Sequence, residues 1–511
     1  MSHAARGLLL VAIVALLAAI PVWIPAFPPM ADLPQHAFQV MLLREMAQPG
    51  FPYRHLFEVN WFTPYLVGYL LVFGLSFVVG IVAACKIVVS LTIAGIPISA
   101  AALIAEADGE PRWALLAVPA MYGFDYQWGF LNFLVAVPLG LLFLALVVRV
   151  SKRPARRGLI LVGLALNGLF FCHAMIAIAC GAAAGLILLA QGSDWRTRVR
   201  LLLPIVSVIP LMAIWGLLTS EHPDAQQPIF WDLGWLRTTE DYYSWEASWA
   251  VDGFGWGRLA GILPRALGAQ PSIALYIFGG ALLLIPAFSG ARLRRDIRCW
   301  APVLVCAAIL FLAPSSTFGA YYVAERFAVF VLPLYALLWT APAPRRARWQ
   351  APWIWCALLL AAWISVVVSH TVAYQREAAG FTTVLSRLQP RERVMSFPFD
   401  RDSPDGIAPL FLHFSAWYGA LDGGIVDPSL AVHHVELVRY RPDAEIGLRF
   451  WGFEFKPENF DWDYFGAAKF RYFLAREATS PAPHMFEDVP CVPRLVAHAG
   501  DWWAYENDCR E

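Results

Sequence analysis

Repeated apolar stretches of about 20 residues decide what this chain can fold into, since each is long enough to cross roughly 30 Å of hydrocarbon as a helix. The strongest run over about 8–27, 77–105, 129–148, 199–219, 271–289, 299–314, 326–342 and 351–370. Of 511 residues, 59% are hydrophobic and only 15% charged, a balance too apolar for a water-soluble enzyme. The formal net charge is zero, so nothing points to a nucleic-acid partner. The fold class expected is an α-helical polytopic membrane protein.

Lys and Arg accumulate in short cytoplasmic loops, and four loops carry them. These are Arg149 to Arg157 with five basic residues, Arg196 to Arg200 with three, Arg292 to Arg298 with four and Arg345 to Arg348 with three. The 33-residue run from Gly158 to Ala190 is too long for one straight helix and reads as two short spans turning at His173. With the basic loops inside, that turn, the loop 220–270, the loop Pro314 to Arg326 and everything after His370 fall outside. Trp113 to Met121 must then cross, Glu106 to Arg112 is cytoplasmic, and the stretch 33–74 forms outer surface helices, with Phe62 to Gly74 lying on the membrane rather than crossing it. About eleven transmembrane helices result, with the N-terminus inside and the C-terminus outside. Arg6 followed by an apolar run resembles a signal peptide, but no small-x-small cleavage site precedes Pro21, so the first span is expected to be retained.

Near Thr371 the charges return and the apolar runs shorten. This divides the chain into a transmembrane domain, 1–370, and an extracytoplasmic α/β domain, 371–511. Strands are expected at 393–399 and 470–475, and a helix over Ile407 to Ala420. Six cysteines (85, 172, 180, 299, 306 and 356) fall within or at the ends of spans and read as small hydrophobes. Cys491 and Cys509 could close a disulfide if the outer side is oxidising.

This topology gathers polar residues at one membrane face. Asp32 and His36 follow the first span, Asp125 lies in Tyr122-Gly-Phe-Asp-Tyr-Gln-Trp128, His173 marks the hairpin turn, and Glu325-Arg326 opens a later span. Carboxylates, imidazoles and a guanidinium on one side suit deprotonating a hydroxyl while a phosphate is held. Arg grips phosphate in bidentate fashion. A divalent metal between Asp32 and Asp125 is compatible with these residues, but no Asp-x-Asp signature requires it.

Each residue also has a plainer reading. Asp32 and Asp125 could be helix N-caps, His36 an interfacial histidine, His173 a backbone hydrogen-bonding partner at a broken helix, and Glu325-Arg326 an internal ion pair. Lys86 lies inside a span and either meets a donor phosphate or snorkels to the interface. In the loop 220–270, Trp231, Trp235, Trp245, Trp249 and Trp256 alternate with Asp232, Glu240, Asp241, Glu246 and Asp252. That mixture fits interface anchoring by default and leaves acceptor binding open.

The motifs Asp32-Leu-Pro-Gln-His36, Trp128-Gly-Phe-Leu-Asn-Phe133, Phe171-Cys-His-Ala174 and Glu325-Arg-Phe327 resemble those of an uncharacterised bacterial group of GT-C-like membrane proteins. The order of loops is similar to the wider GT-C glycosyltransferases, including protein O-mannosyltransferases and lipid A aminoarabinose transferases. The resemblance implies a polyprenyl-phosphate sugar donor and a lipid, polysaccharide or protein acceptor. It further implies inverting chemistry at the outer face of the bacterial inner membrane, with the C-terminal domain periplasmic or extracellular. Asp32 matches the catalytic Asp of the first outer loop, and Asp125 falls where several members carry a second acid. Where the aminoarabinose transferases have a Thr-Lys-Gly turn this chain has Cys172-His173-Ala174, and the usual acidic pair is a lone Asp32. In the function this implies, Asp32 is catalytic and His36, Asp125, His173, Glu325, Arg326 and Lys86 bind substrate. The rival class is a transporter or a non-catalytic scaffold for envelope glycan assembly. A transporter would place its ionisable residues near mid-membrane on broken helices.

Overall fold

The structure is a computed structural model and describes residues 3–222, 256–314, 316–317, 319–342, 351–444, 453–487, 489 and 491–508. The acidic and tryptophan-rich part of the 220–270 loop and Cys509 lie outside the described residues; Cys491 is disulfide-bonded. Backbone contacts divide the chain into two compact units. One comprises Met1–Pro21, Val89–Tyr126 and Asn132–Val368; the other comprises Val22–Val88, Gln127–Leu131 and Ser369–Glu511.

Among the described residues, five helical stretches are long and apolar enough to cross a membrane: His3–Trp23, Ile81–Glu106, Leu131–Lys152, Trp195–Thr219 and Pro352–Leu385. Shorter apolar helices occupy Leu66–Val79, Ala174–Leu189, Ile273–Phe288 and Ile297–Leu312. Large apolar side chains stand exposed along them, among them Leu17, Val78, Leu186, Leu217, Ile277 and Leu358. Such surfaces suit lipid and would be a liability in water. These features suggest a multi-pass membrane protein.

Several boundaries differ from those expected from sequence. The run expected as a span from 77 begins its helix at Ile81, because Gly80 at φ +76° ends the preceding helix Leu66–Val79. Two further expected crossings are wound differently. Pro111–Tyr122 is a buried 3-10 helix of 12 residues, and 326–342 contains the 3-10 helix Glu325–Phe330 followed by the short helix Val331–Leu337. The 3-10 helices at 111–122 and 325–330 lie in the first unit and are covered by protein. Irregular backbone in an apolar surround persists only where protein satisfies its polar groups. The run 158–190 is divided into Arg156–Cys172 and Ala174–Leu189 by an extended His173.

At one end of the first unit, Arg149 pairs with Glu106, Lys152 Nζ meets Asp108 at 2.8 Å, and Arg294 donates to the Asp108 carbonyl at 2.9 Å. The turn at 106–110 and two of the four basic loops therefore share one end of that unit.

The second unit carries a five-stranded mixed sheet. Arg393–Pro398 pairs in parallel with Ile425–Asp427 on one side and Tyr472–Arg476 on the other. Trp502–Glu506 then adds antiparallel to Tyr472–Arg476, and Arg494–Ala499 antiparallel to Trp502–Glu506. Met395, Phe397, Phe453, Phe470, Phe473 and Tyr505 are buried in its core. The helix expected over Ile407 to Ala420 is present only as Ala416–Asp422, and the residues before it form turns. Pro409 disfavours helix at the residue before it, and no local signal accounts for the turns over 410–415.

In the same unit, the helix Leu33–Met46 is buried from Leu33 through Val40 and packs against Ala416–Asp422. Its polar side chains serve as backbone partners. Gln35 donates to the Pro428 carbonyl at 2.8 Å and accepts from the Leu430 amide at 3.2 Å, while Gln39 accepts from the Val438 amide at 2.9 Å. The segment 428–438 is thus held by a helix some 390 residues earlier in the chain.

Candidate active site around Asp32

Asp32 occupies the N-cap position of Leu33–Met46, with Pro34 in the first turn, yet its side chain makes no capping hydrogen bond. Its Oδ1 instead accepts from His413 Nδ1 at 2.8 Å. A carboxylate only accepts, so the imidazole is the donor. Both side chains are nearly enclosed, retaining 12% and 10% of their surface. Glu454 adds its charge to the same ring. Burial of the ring opposes a positive charge, but the hydrogen bond and charge of Asp32, with Glu454, outweigh it and hold the His413 imidazole above its ordinary value.

The backbone at Asp32 is fixed from the other side. The Ala31 amide donates to Gln127 O at 2.8 Å and the Asp32 amide to Trp128 O at 2.9 Å. Gly129 follows at φ +78°, and a Cβ there would stand 2.8 Å from the amide nitrogens of Asp32 and Leu33. Only glycine combines that conformation with so close an approach. Gly129→Ala is therefore expected to cost of order 1–3 kcal/mol and to displace the Asp32 turn. Gly216→Ala, where nothing lies within 4 Å, provides the control and should leave thermal unfolding unchanged or raised.

His36 lies one turn along the helix, its amide donating to Asp32 O at 3.0 Å. Its Nδ1 is 2.8 Å from the Tyr69 hydroxyl, which donates in turn to Glu436. All three side chains are buried, so this is a hydrogen-bonded chain rather than an exposed interfacial histidine. Lys86 directs its ammonium to a backbone carbonyl of the same unit. Its Nζ donates to the Pro25 carbonyl at 2.6 Å and lies 5.7 Å from the Trp23 ring centroid.

The remaining predicted residues belong to the other unit and form a second cluster. Arg326 acts electrostatically on both Asp125 and His173. Its Nε donates to Tyr321 O at 3.0 Å, and Phe133 meets the His173 ring edge-on at 5.0 Å and the Phe327 ring at 5.7 Å. Asp125 is 1% exposed, and neither of its carboxylate oxygens meets a hydrogen-bond donor from another described residue. Burial pushes its carboxyl well above the usual carboxylate range, against the pull of Arg326. Asp125 sits inside the short helix Phe124–Trp128, not at the cap of the long helix Leu131–Lys152. Among the described residues Glu325 makes no ion pair with Arg326, and its Oε2 is buried without a hydrogen bond. The sequence-predicted residues are thus gathered as Asp32 with His36 in one unit and Asp125, His173 and Arg326 in the other. No group of three or more His, Cys, Asp or Glu suited to a metal occurs among the described residues.

Sequence reasoning missed His413, Tyr69, Glu436 and Glu454. The one available signal for His413 was a lone ionisable side chain in Phe411-Leu-His-Phe-Ser415, an otherwise apolar and aromatic run.

The Asp32–His413 bond carries a pH signature. The raised imidazole means its stabilisation is complete below the ordinary histidine value of about 6.5 and is lost as pH rises through the higher folded value. Thermal unfolding of wild type and His413→Gln across that range should converge towards alkaline pH.

The fold and site together define a helical protein with, among its described residues, five long apolar helices, and with a mixed sheet in its C-terminal α/β region. No protein-family model and no curated protein matches the chain.

Proposed function

We propose that this protein is a GT-C-type glycosyltransferase that moves a sugar from a polyprenyl-phosphate donor to an acceptor hydroxyl on a lipid, polysaccharide or protein. The observation carrying the reading is that Asp32, placed to cap a helix, leaves that role and faces His413 in a nearly closed polar site. Asp32 would act as the general base, and the acceptor oxygen would attack the anomeric carbon with inversion. His36, held by Tyr69 and Glu436, would orient the acceptor. The cluster of Arg326, His173 and Asp125 in the other unit is a separate candidate for binding a phosphate group. No step requires a metal.

The reading places the protein in the bacterial inner membrane with about eleven crossings, some of them short or irregular. The N-terminus would be cytoplasmic and the sheet-bearing C-terminal region outside. The pairing of Glu106 and Asp108 with the basic loops supports a common cytoplasmic end for those segments. The test is release of polyprenyl phosphate from a panel of polyprenyl-phosphate sugars in the presence of envelope extract, with wild type beside Asp32→Asn. Turnover by wild type alone is expected. Full complementation of a deletion strain by Asp32→Asn would instead favour a scaffold or transport role.

A further inference from the structure

His413 comes from the C-terminal region, far from Asp32 in sequence, and its Nδ1 bond to Asp32 is its only side-chain hydrogen bond among the described residues. With Nδ1–H directed at the carboxylate, Nε2 carries the ring's lone pair. The side chain is not sealed, keeping 10% of its surface. The charged and titratable groups acting on the ring are Asp32 and Glu454, and Glu454 is itself within range of His433. An imidazole oriented by a buried carboxylate, with its second nitrogen unengaged, is an arrangement suited to accepting a proton from a hydroxyl.

Resting on the transferase reading but moving the general base from Asp32 to the ring it holds, we propose that His413 Nε2 is the atom that takes the acceptor's proton and that Asp32 acts through it, holding the ring and balancing the imidazolium. The acceptor O–H bond breaks with its proton moving to Nε2. The oxygen forms the new bond to the anomeric carbon, and the carbon–oxygen bond to phosphate breaks with its electron pair leaving on the polyprenyl phosphate. The imidazolium beside the Asp32 carboxylate then returns its proton to solvent. His413 becomes a catalytic residue and Asp32 a positioning residue. The C-terminal region becomes part of the active site rather than an accessory to it.

The experiment is a double-mutant cycle with His413→Gln, Asp32→Asn and the pair, on full-length protein matched for thermal unfolding. Glutamine can still donate to Asp32 but offers no basic nitrogen. Loss of about a thousandfold or more in donor turnover is expected for His413→Gln, with the double variant no slower than the slower single one, as for residues acting as a unit. A second readout is independent of turnover: diethyl pyrocarbonate labelling of His413, followed by peptide mass spectrometry. Asparagine can donate its amide to Nδ1 and leave the hydrogen on Nε2, so at alkaline pH, where the ring is neutral in both proteins, labelling should slow about tenfold or more in Asp32→Asn.

Wild-type turnover that survives His413→Gln, or single losses that multiply in the double variant, would overturn the dyad and leave the transferase reading standing. Equal labelling rates in wild type and Asp32→Asn would overturn it as well, whatever the turnover. Absence of wild-type turnover with every donor, alongside slowed labelling in Asp32→Asn, would overturn the transferase reading and with it the proton-transfer role.

Discussion

In the proposed transferase, Asp32→Asn should lower sugar transfer by about ten-thousand-fold, roughly 5.4 kcal/mol of barrier, while leaving the fold intact. The side chains are nearly isosteric, and Asp32 contributes no capping hydrogen bond whose loss would fray the helix. What disappears is the charge facing His413 at 2.8 Å. Without it the imidazolium formed during transfer lacks its counterion, and the asparagine amide can turn the ring to the wrong tautomer. The expected result is a melting temperature unchanged at alkaline pH, where the ring is neutral with either residue, and lowered at acid pH, with unchanged donor binding and single-turnover release of polyprenyl phosphate close to background. A variant that loses binding and stability in proportion to turnover would point to a structural role for Asp32.

Asp427→Ala should be the most damaging substitution for the fold of the second unit, at about 3–5 kcal/mol. Asp427 is 1% exposed and accepts from Arg393 Nη2 at 3.1 Å and from the Tyr440 hydroxyl at 2.8 Å. Arg393 is itself 8% exposed, with its guanidinium 4.7 Å from the Phe470 ring centroid. Removing the carboxylate leaves a buried cation without compensation, at the parallel edge of the sheet. Tyr440 also stacks on its register partner Phe57, so the damage should reach the strand pair joining 57–59 to 438–440. Thermal unfolding should show a large loss for Asp427→Ala and partial recovery when Arg393→Met is added, since removing both charges removes the desolvation problem. Arg494→Ala, at a pair whose arginine is 62% exposed, should produce no measurable change.

The membrane-spanning character was legible because hydrophobicity over about 20 residues is a local property. The break at His173 and the strands near 393 and 472 were legible for the same reason: run length and residue type act within a few positions. The segments 111–122 and 325–337 were misread as ordinary spans because apolar content says nothing about winding when protein, not lipid, surrounds the chain. The Ile407 to Ala420 run reads as helix by its apolar content, which carries no signal for the turns that precede Ala416.

The sequence by itself determined that Asp32 would stand at the start of a helix after the first apolar span, because Asp before Leu-Pro is a local start signal. It also determined that His36 would lie one turn away. Only the tertiary structure decided that the Asp32 carboxylate faces His413, that Tyr69 and Glu436 hold His36, and that Lys86 is tied to Pro25. Those partners lie from about 30 to about 400 residues apart, and side-chain hydrogen bonds between such positions are set by how folded elements pack, for which no local pattern codes.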